Sequence, residues 1–226
     1  MFLPQNSPLI AYHNDPAEKA AILAQLAAHR AADELVKGKY WEYGKGCAVG
    51  CTIHGNQHSE YERLFAIPRT LAYLEDRLFE GLPNGAAQAW PERFMGAIAP
   101  GADLAMVWPR FAHWLMTEEV PPHTKYTRSL ASLAEVGGLY REWIDGTKPS
   151  DDRWSAAEAA AARAASSSSA AAARAASSSA AAAARAASAS SSAAAAARAA
   201  GDSSYERQAT KLITLLQSAP IVGASA

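Results

Sequence analysis

Apolar residues at helical spacing dominate the first two thirds of the chain. In "NDPAEKAAILAQLAAHRAADELVKG", Ile22, Leu23, Leu26 and Ala27 share one face of a helix. Asp15 stands as its N-cap, Pro16 occupies the first helical position, Glu18 is placed for a capping box and Gly38 is the expected stop. "PRTLAYLEDRLFEGLP" repeats the grammar: Pro68 starts a helix, Leu71, Leu74 and Leu78 form its stripe, and Gly81 with Pro83 ends it. Glu75, Asp76 and Glu80 then predict a solvated face. In "TKYTRSLASLAEVGGLYREWIDG", Leu130, Leu133, Gly137, Tyr140 and Ile144 align on one helical face, with Gly146 as the stop. Gly137 and Gly138 inside a helix cost about 1 kcal/mol each against alanine, which predicts a close approach by a neighbouring helix. The pairs Trp90-Pro91 and Trp108-Pro109 each mark a helix start or a kink, because proline lacks a backbone donor and restricts the residue before it. No segment alternates as a half-buried strand does, so the expected fold is all-α.

Composition divides the chain near Pro149. All five phenylalanines and all six tryptophans, the last being Trp154, precede the low-complexity region, giving residues 1–149 enough large apolar surface for a helical domain. Residues 150–226 form the expected second part, an Ala/Ser-rich helical tail ending in an amphipathic helix. From Ser155 to Ala200 only Ala, Ser, four arginines and Glu158 occur. Arg163, Arg174 and Arg185 recur every eleven residues, close to three helical turns, and Arg198 follows thirteen later. Alanine propensity favours helix here, either as one rod of roughly 70 Å or as shorter helices capped by the serine runs. The spacing resembles that of the helical fish-type antifreeze proteins, but those carry threonine at the repeating position and this segment has none. Alanine faces permit close packing between chains, so a homo-oligomer is expected. "SSYERQATKLITLLQSAP" adds an amphipathic helix through Tyr205, Ala209, Leu212 and Leu216.

A formal net charge of −1 gives no electrostatic basis for binding nucleic acid or anionic lipid. No run of about 20 apolar residues is present and the start lacks a secretory pattern, so the reading is a cytoplasmic protein with no membrane partner. Cys47 and Cys51, four apart, suit a disulfide poorly and are expected as reduced thiols.

Chemistry concentrates in "YWEYGKGCAVGCTIHGNQHSEYE", residues Tyr40 to Glu62. In one straight helix Cys47 and His58 would lie about 16 Å apart, so Cys47, Cys51, His54 and His58 cannot surround one zinc ion without a break at Gly50 or Gly55. His54 and His58 are the more plausible metal pair, with Glu60 or Glu62 as a further ligand and zinc as the possible metal. A thiolate nucleophile activated by Lys45 and His54 is a second reading, and a packed core with histidines at a helix end a third. The favoured reading is a ligand pocket built from Tyr40, Trp41, Tyr43, Lys45, Cys47, Cys51, His54, His58 and Glu62, taking a small anionic or nucleotide-like ligand between aromatic surfaces and a glycine-rich backbone.

"GCAVGCTIHGNQHSEYE", "AIPRTLAYLEDRLFEGLP", "GADLAMVWPRFAHWL", the alanine-rich run and "YERQATKLITLLQ" together resemble a protein family met in bacterial and phage genomes. The resemblance covers nearly the whole chain and brings no assigned activity with it. It implies a phage and host-defence setting in which a nucleotide signal is sequestered. The expectation is therefore a non-catalytic ligand-binding protein, with a metal- or thiol-dependent hydrolase, and a structural protein assembling through its Ala-rich helices, as alternatives.

Overall fold

The computed structural model describes residues 9–123, 127–163 and 190–223. These residues are predominantly helical, and the fold is all-α. The helices are α1 (Pro16–Ala31), α2 (Ala48–Ile53), α3 (Glu60–Phe65), α4 (Arg69–Gly81), α5 (Asn84–Ala97), α6 (Val107–Trp114) and α7 (Thr127–Ile144). Then come α8, helical over residues 151–163, and α9 (Ser190–Gln217). Among the described residues the strands are a hairpin of two-residue segments, β1 (Trp41–Glu42) and β2 (Lys45–Gly46), in antiparallel register with Trp41 opposite Gly46. Tyr43 and Gly44 at its tip both have positive φ, 51° and 79°, the backbone handedness that a two-residue hairpin turn requires.

The chain packs as two compact units, Met1–Trp108 with Asp202–Ala226, and Pro109–Gly201. In the first unit, α1 buries Ile22 and Leu26, and α4 buries Leu71, Leu74 and Leu78, as their stripes require. Asp15 caps α1 by accepting from the Ala17 amide at 2.7 Å, with Pro16 at the first position. Glu18 does not complete a capping box; it pairs with His13 at 2.9 Å. The helix ends at Ala31, short of Gly38, because Asp33 enters the left-handed region at φ 53°. That early stop frees Glu34 to Val36 to run beside β2, before a turn at Lys37 and Gly38: the Gly46 amide donates to Glu34 O at 3.0 Å and the Val36 amide to Gly46 O at 2.8 Å.

The start and stop of α4 follow Pro68 and Gly81 as expected. Of the two expectations for Trp90-Pro91, the helix start is not met, since α5 begins after Pro83 and carries Pro91 inside it. Trp90 is fully buried and its indole N–H donates to Glu75 O at 3.0 Å, a contact that fixes α5 on α4. At Trp108-Pro109 the expectation of a helix start is met by α6. Ala209, Leu212 and Leu216 of α9 are buried in this unit, and Tyr205 packs so closely on Gly81 that a Cβ there would lie 2.2 Å from its ring.

In the second unit, α7 buries Leu139 and Gly137, while Leu130 stays exposed. The close approach expected at the glycine pair occurs at Gly137, where a Cβ would stand 3.0 Å from Thr117 Cγ2, and not at Gly138. Tyr140, Trp143 and Trp154 form an aromatic cluster with Lys148 Nζ 5.0 Å from the Trp143 ring centre. Most of the alanine and serine segment, including Arg174 and Arg185, lies outside the described residues; both of its described flanks are helical.

Two glycines let the hairpin segment cross α2. A Cβ on Gly46 would fall 1.9 Å from the Tyr40 carbonyl oxygen, and one on Gly50 only 1.4 Å. Both clashes are with backbone, which cannot rotate away. Gly50→Ala is therefore expected to cost about 3 kcal/mol of stability by overpacking, whereas Gly85→Ala, in α5 with nothing within 4 Å, gains up to ~1 kcal/mol from helix propensity. Urea denaturation of the two variants checks both signs.

Candidate functional site

The site is built around the segment from Gly38 to Gly46. The Cys47 amide donates to Lys39 O at 2.6 Å, which ties the start of α2 to the crossing chain. Cys47 caps α2 through its sulfur, which accepts from the Gly50 amide at 3.5 Å. At the other end His54 adopts φ 50°, a left-handed conformation that stops the helix and turns its imidazole outward. Residues expected to share one cavity are separated by this crossing into two groups.

The first group joins Trp41 and His54, whose rings stack at 4.4 Å and 20°. His29, in the last turn of α1, meets both: its ring lies edge-on to Trp41 at 5.5 Å, and its Nε2 faces His54 Nε2 at 2.8 Å. Its Nδ1 is 2.6 Å from Glu34 Oε2. Burial, followed by the neighbouring His29, lowers the His54 pKa. Beside this group lies an open recess of about 390 Å³ lined by Lys39, Tyr40, Trp41, Glu42, Gly55 and Asn56.

The second group joins Tyr40, Cys47 and His58 with residues of α4. His58 is buried, stacks on Tyr73 at 4.0 Å, and meets Tyr40 edge-on at 5.7 Å. Its Nε2 stands 3.6 Å from Asp76 Oδ2, beyond hydrogen-bonding distance, and both that nitrogen and Asp76 Oδ1 are buried without a hydrogen-bond partner. A recess of about 240 Å³ opens here, lined by Gly38, Lys39, Tyr40, Cys47, Asp76 and Glu80. Lys39 itself turns to Glu42 at 2.8 Å, and Glu80 Oε1 accepts from the Gly38 amide at 2.9 Å.

The acidic residues of α4 correct the expectation of a solvated face. Glu80 is exposed, Asp76 is largely covered, and Glu75 is fully buried. The reason is tertiary: α3 lays the fully buried Tyr61 over α4, and its hydroxyl donates to Glu75 Oε2 at 2.5 Å. Burial raises the Glu75 pKa to about 8, above the opposing effect of the Tyr61 hydrogen bond, so at neutral pH this carboxyl is largely protonated.

Both cysteines are free and buried. Burial pushes the Cys51 thiol up to about 11, and its Sγ lies 3.4 Å from Gly46 O. Cys47 is pushed higher still, by burial first and then by the Asp76 carboxylate, which holds the proton on sulfur. Neither is a thiolate at neutral pH, so neither is an activated nucleophile.

Other residues singled out from the sequence stand apart. Tyr43 is 94% exposed at the hairpin tip, and Lys45 is exposed. Glu62 accepts from the Arg69 amide at 3.1 Å at the start of α4, and Glu60 pairs with Arg63 at 2.5 Å. His54 and His58 belong to different groups, and among the described residues no three or more His, Cys, Asp or Glu side chains are grouped to hold a metal ion. Sequence reasoning missed His29, Glu34, Tyr73 and the interior role of Asp76. Their signal is spatial: none falls within the Tyr40 to Glu62 stretch. No protein-family model, curated protein or solved structure matches the chain.

The buried Glu75 makes stability depend on pH. The folded state keeps its proton up to about pH 8, and the unfolded chain releases it near 4.5. Between those values the native state binds more protons, so this group's contribution declines with rising pH by up to ~1.4 kcal/mol per unit. Glu75→Gln removes that decline: denaturation curves of variant and parent should coincide in this respect below pH 4.5 and separate, with the variant the more stable, toward pH 8.

Proposed function

We propose that the protein binds, without turnover, a small ligand whose flat, amino-bearing end enters the recess beside Asp76. The observation that carries this reading is the Asp76 carboxylate, which forms a wall of that recess with Tyr40 and keeps one oxygen without a hydrogen-bond partner. A buried acceptor left unpaired is costly, and a ligand N–H is the natural group to satisfy it after a small side-chain rotation. Asp76 and Glu80 disfavour phosphate at this point and favour hydrogen-bond donors or positive charge.

The volume of about 240 Å³ is below that of pockets for drug-sized molecules, and fits one ring system. The recess of about 390 Å³ on the Trp41 side, which also has Lys39 and Tyr40 among its walls, is a separate space, so the rest of the ligand extends into solvent at the open mouth of the smaller recess. A nucleotide-type signal meets these demands through an amino-substituted base. In a phage setting such binding would withdraw the signal from host defence. The protonated thiols favour binding over thiol hydrolysis.

Titration calorimetry with guanosine, adenosine, cytidine and uridine nucleotides tests the reading. Binding is expected for a base with an exocyclic amine and not for uridine. Asp76→Asn should weaken it about tenfold to hundredfold, the worth of a hydrogen bond to a charged group, and Tyr40→Ala should weaken it through the lost ring contact. No heat with any of the four, using protein shown to be folded by circular dichroism, or affinity unchanged in both variants, overturns it.

A further inference from the structure

We propose that His29 and His54 form a binding site for a late first-row divalent cation such as zinc or copper(II). The pair uses none of the residues that line the Asp76 recess. Its first element is the Glu34 carboxylate: Oε2 lies 2.6 Å from His29 Nδ1, so the Nδ1–H donates to it and the Nε2 lone pair is left outward. A carboxylate behind an imidazole is the arrangement that orients metal-bound histidines and raises their basicity. Its second element is His54, whose ring is held by the stack on Trp41 and by the left-handed backbone at φ 50°.

These two constraints bring Nε2 of one ring to 2.8 Å from Nε2 of the other, with the ring planes 89° apart. Two nitrogen bases at that separation share one proton. A cation takes the place of that proton when His54 carries its own hydrogen on Nδ1 instead. Imidazole nitrogens bound tetrahedrally at 2.0–2.1 Å stand about 3.3 Å apart, so the rings must open by about half an ångström and tilt. His54 is exposed at a helix end, so its ring can slide by that amount along the face of Trp41 while the stack is kept.

Imidazole donors select zinc, copper or nickel over magnesium or calcium. Among the described residues no third side-chain donor converges on the pair, so the remaining coordination positions go to water or to an oxygen donor from outside the chain.

Calorimetry with zinc and electron paramagnetic resonance with copper(II), each on the full chain, test the site. The expected result is one ion per chain and a copper spectrum showing two coupled nitrogens. His29→Ala and His54→Ala should each weaken binding at least tenfold, while His113→Ala leaves it unchanged. Glu34→Gln acts only through the orientation of His29, and should weaken binding about tenfold to hundredfold with the two-nitrogen spectrum retained. Because His54 is exposed, its variant folds whether or not the His29 variant does. No zinc heat together with no nitrogen coupling, or affinity unchanged in His54→Ala, overturns the proposal.

Discussion

The site depends on an approach of backbone to backbone that only glycine allows. The Tyr40 carbonyl sits where a side chain on Gly46 or Gly50 would be, and that contact lets the Gly38–Gly46 segment lie directly across α2. Three short links then follow: Gly46 to Glu34, Val36 to Gly46 and Cys47 to Lys39. Because the segment is held so near the helix, its neighbouring aromatic residues Tyr40 and Trp41 diverge. Trp41 stacks with His54 on one side of the chemistry and Tyr40 meets His58 on the other. A looser crossing would merge these groups into one cavity; this one keeps two.

Burial decides what the polar groups can do. Glu75 is deep enough to hold a proton at neutral pH and serves as partner to the Tyr61 hydroxyl, tying α3 to α4. The same cause keeps both thiols protonated. Asp76, the next residue of α4, and His58 are less completely matched: Asp76 Oδ2 stands 3.6 Å from His58 Nε2, and that nitrogen and Asp76 Oδ1 have no hydrogen-bond partner. The recess beside Asp76 thus presents a carboxylate, the Tyr40 phenol and a protonated Cys47 thiol.

Much of the framework was legible along the chain because helix signals are local. Asp15 and Pro16 start α1, Pro68 and Gly81 bound α4, and the stripe of Ala209, Leu212 and Leu216 is buried. The end of α1 was not, since the stop comes from a left-handed Asp33, while Gly38, the residue of stronger stop character, lies further on in a separate turn at φ 77°. Glu75 looked solvated because helical period assigns a face without saying what will cover it, and the cover is Tyr61 from another helix. Tyr40, Cys47 and His58 lie together, as do Trp41 and His54, but in two groups where the sequence suggests one. His29 carried no sign beyond being a polar residue on an amphipathic helix; only the fold brings it to His54.

The most direct measurement of the glycine-dependent crossing is amide hydrogen exchange, residue by residue, across Glu34 to Gly50. If the chain is clamped on α2 as described, the Gly46 and Cys47 amides exchange as slowly as those in the middle of α4, opening only when the unit unfolds. Exchange at those two amides as fast as at the exposed hairpin tip, Tyr43 and Gly44, would show that the segment lifts freely from the helix, and would contradict the account.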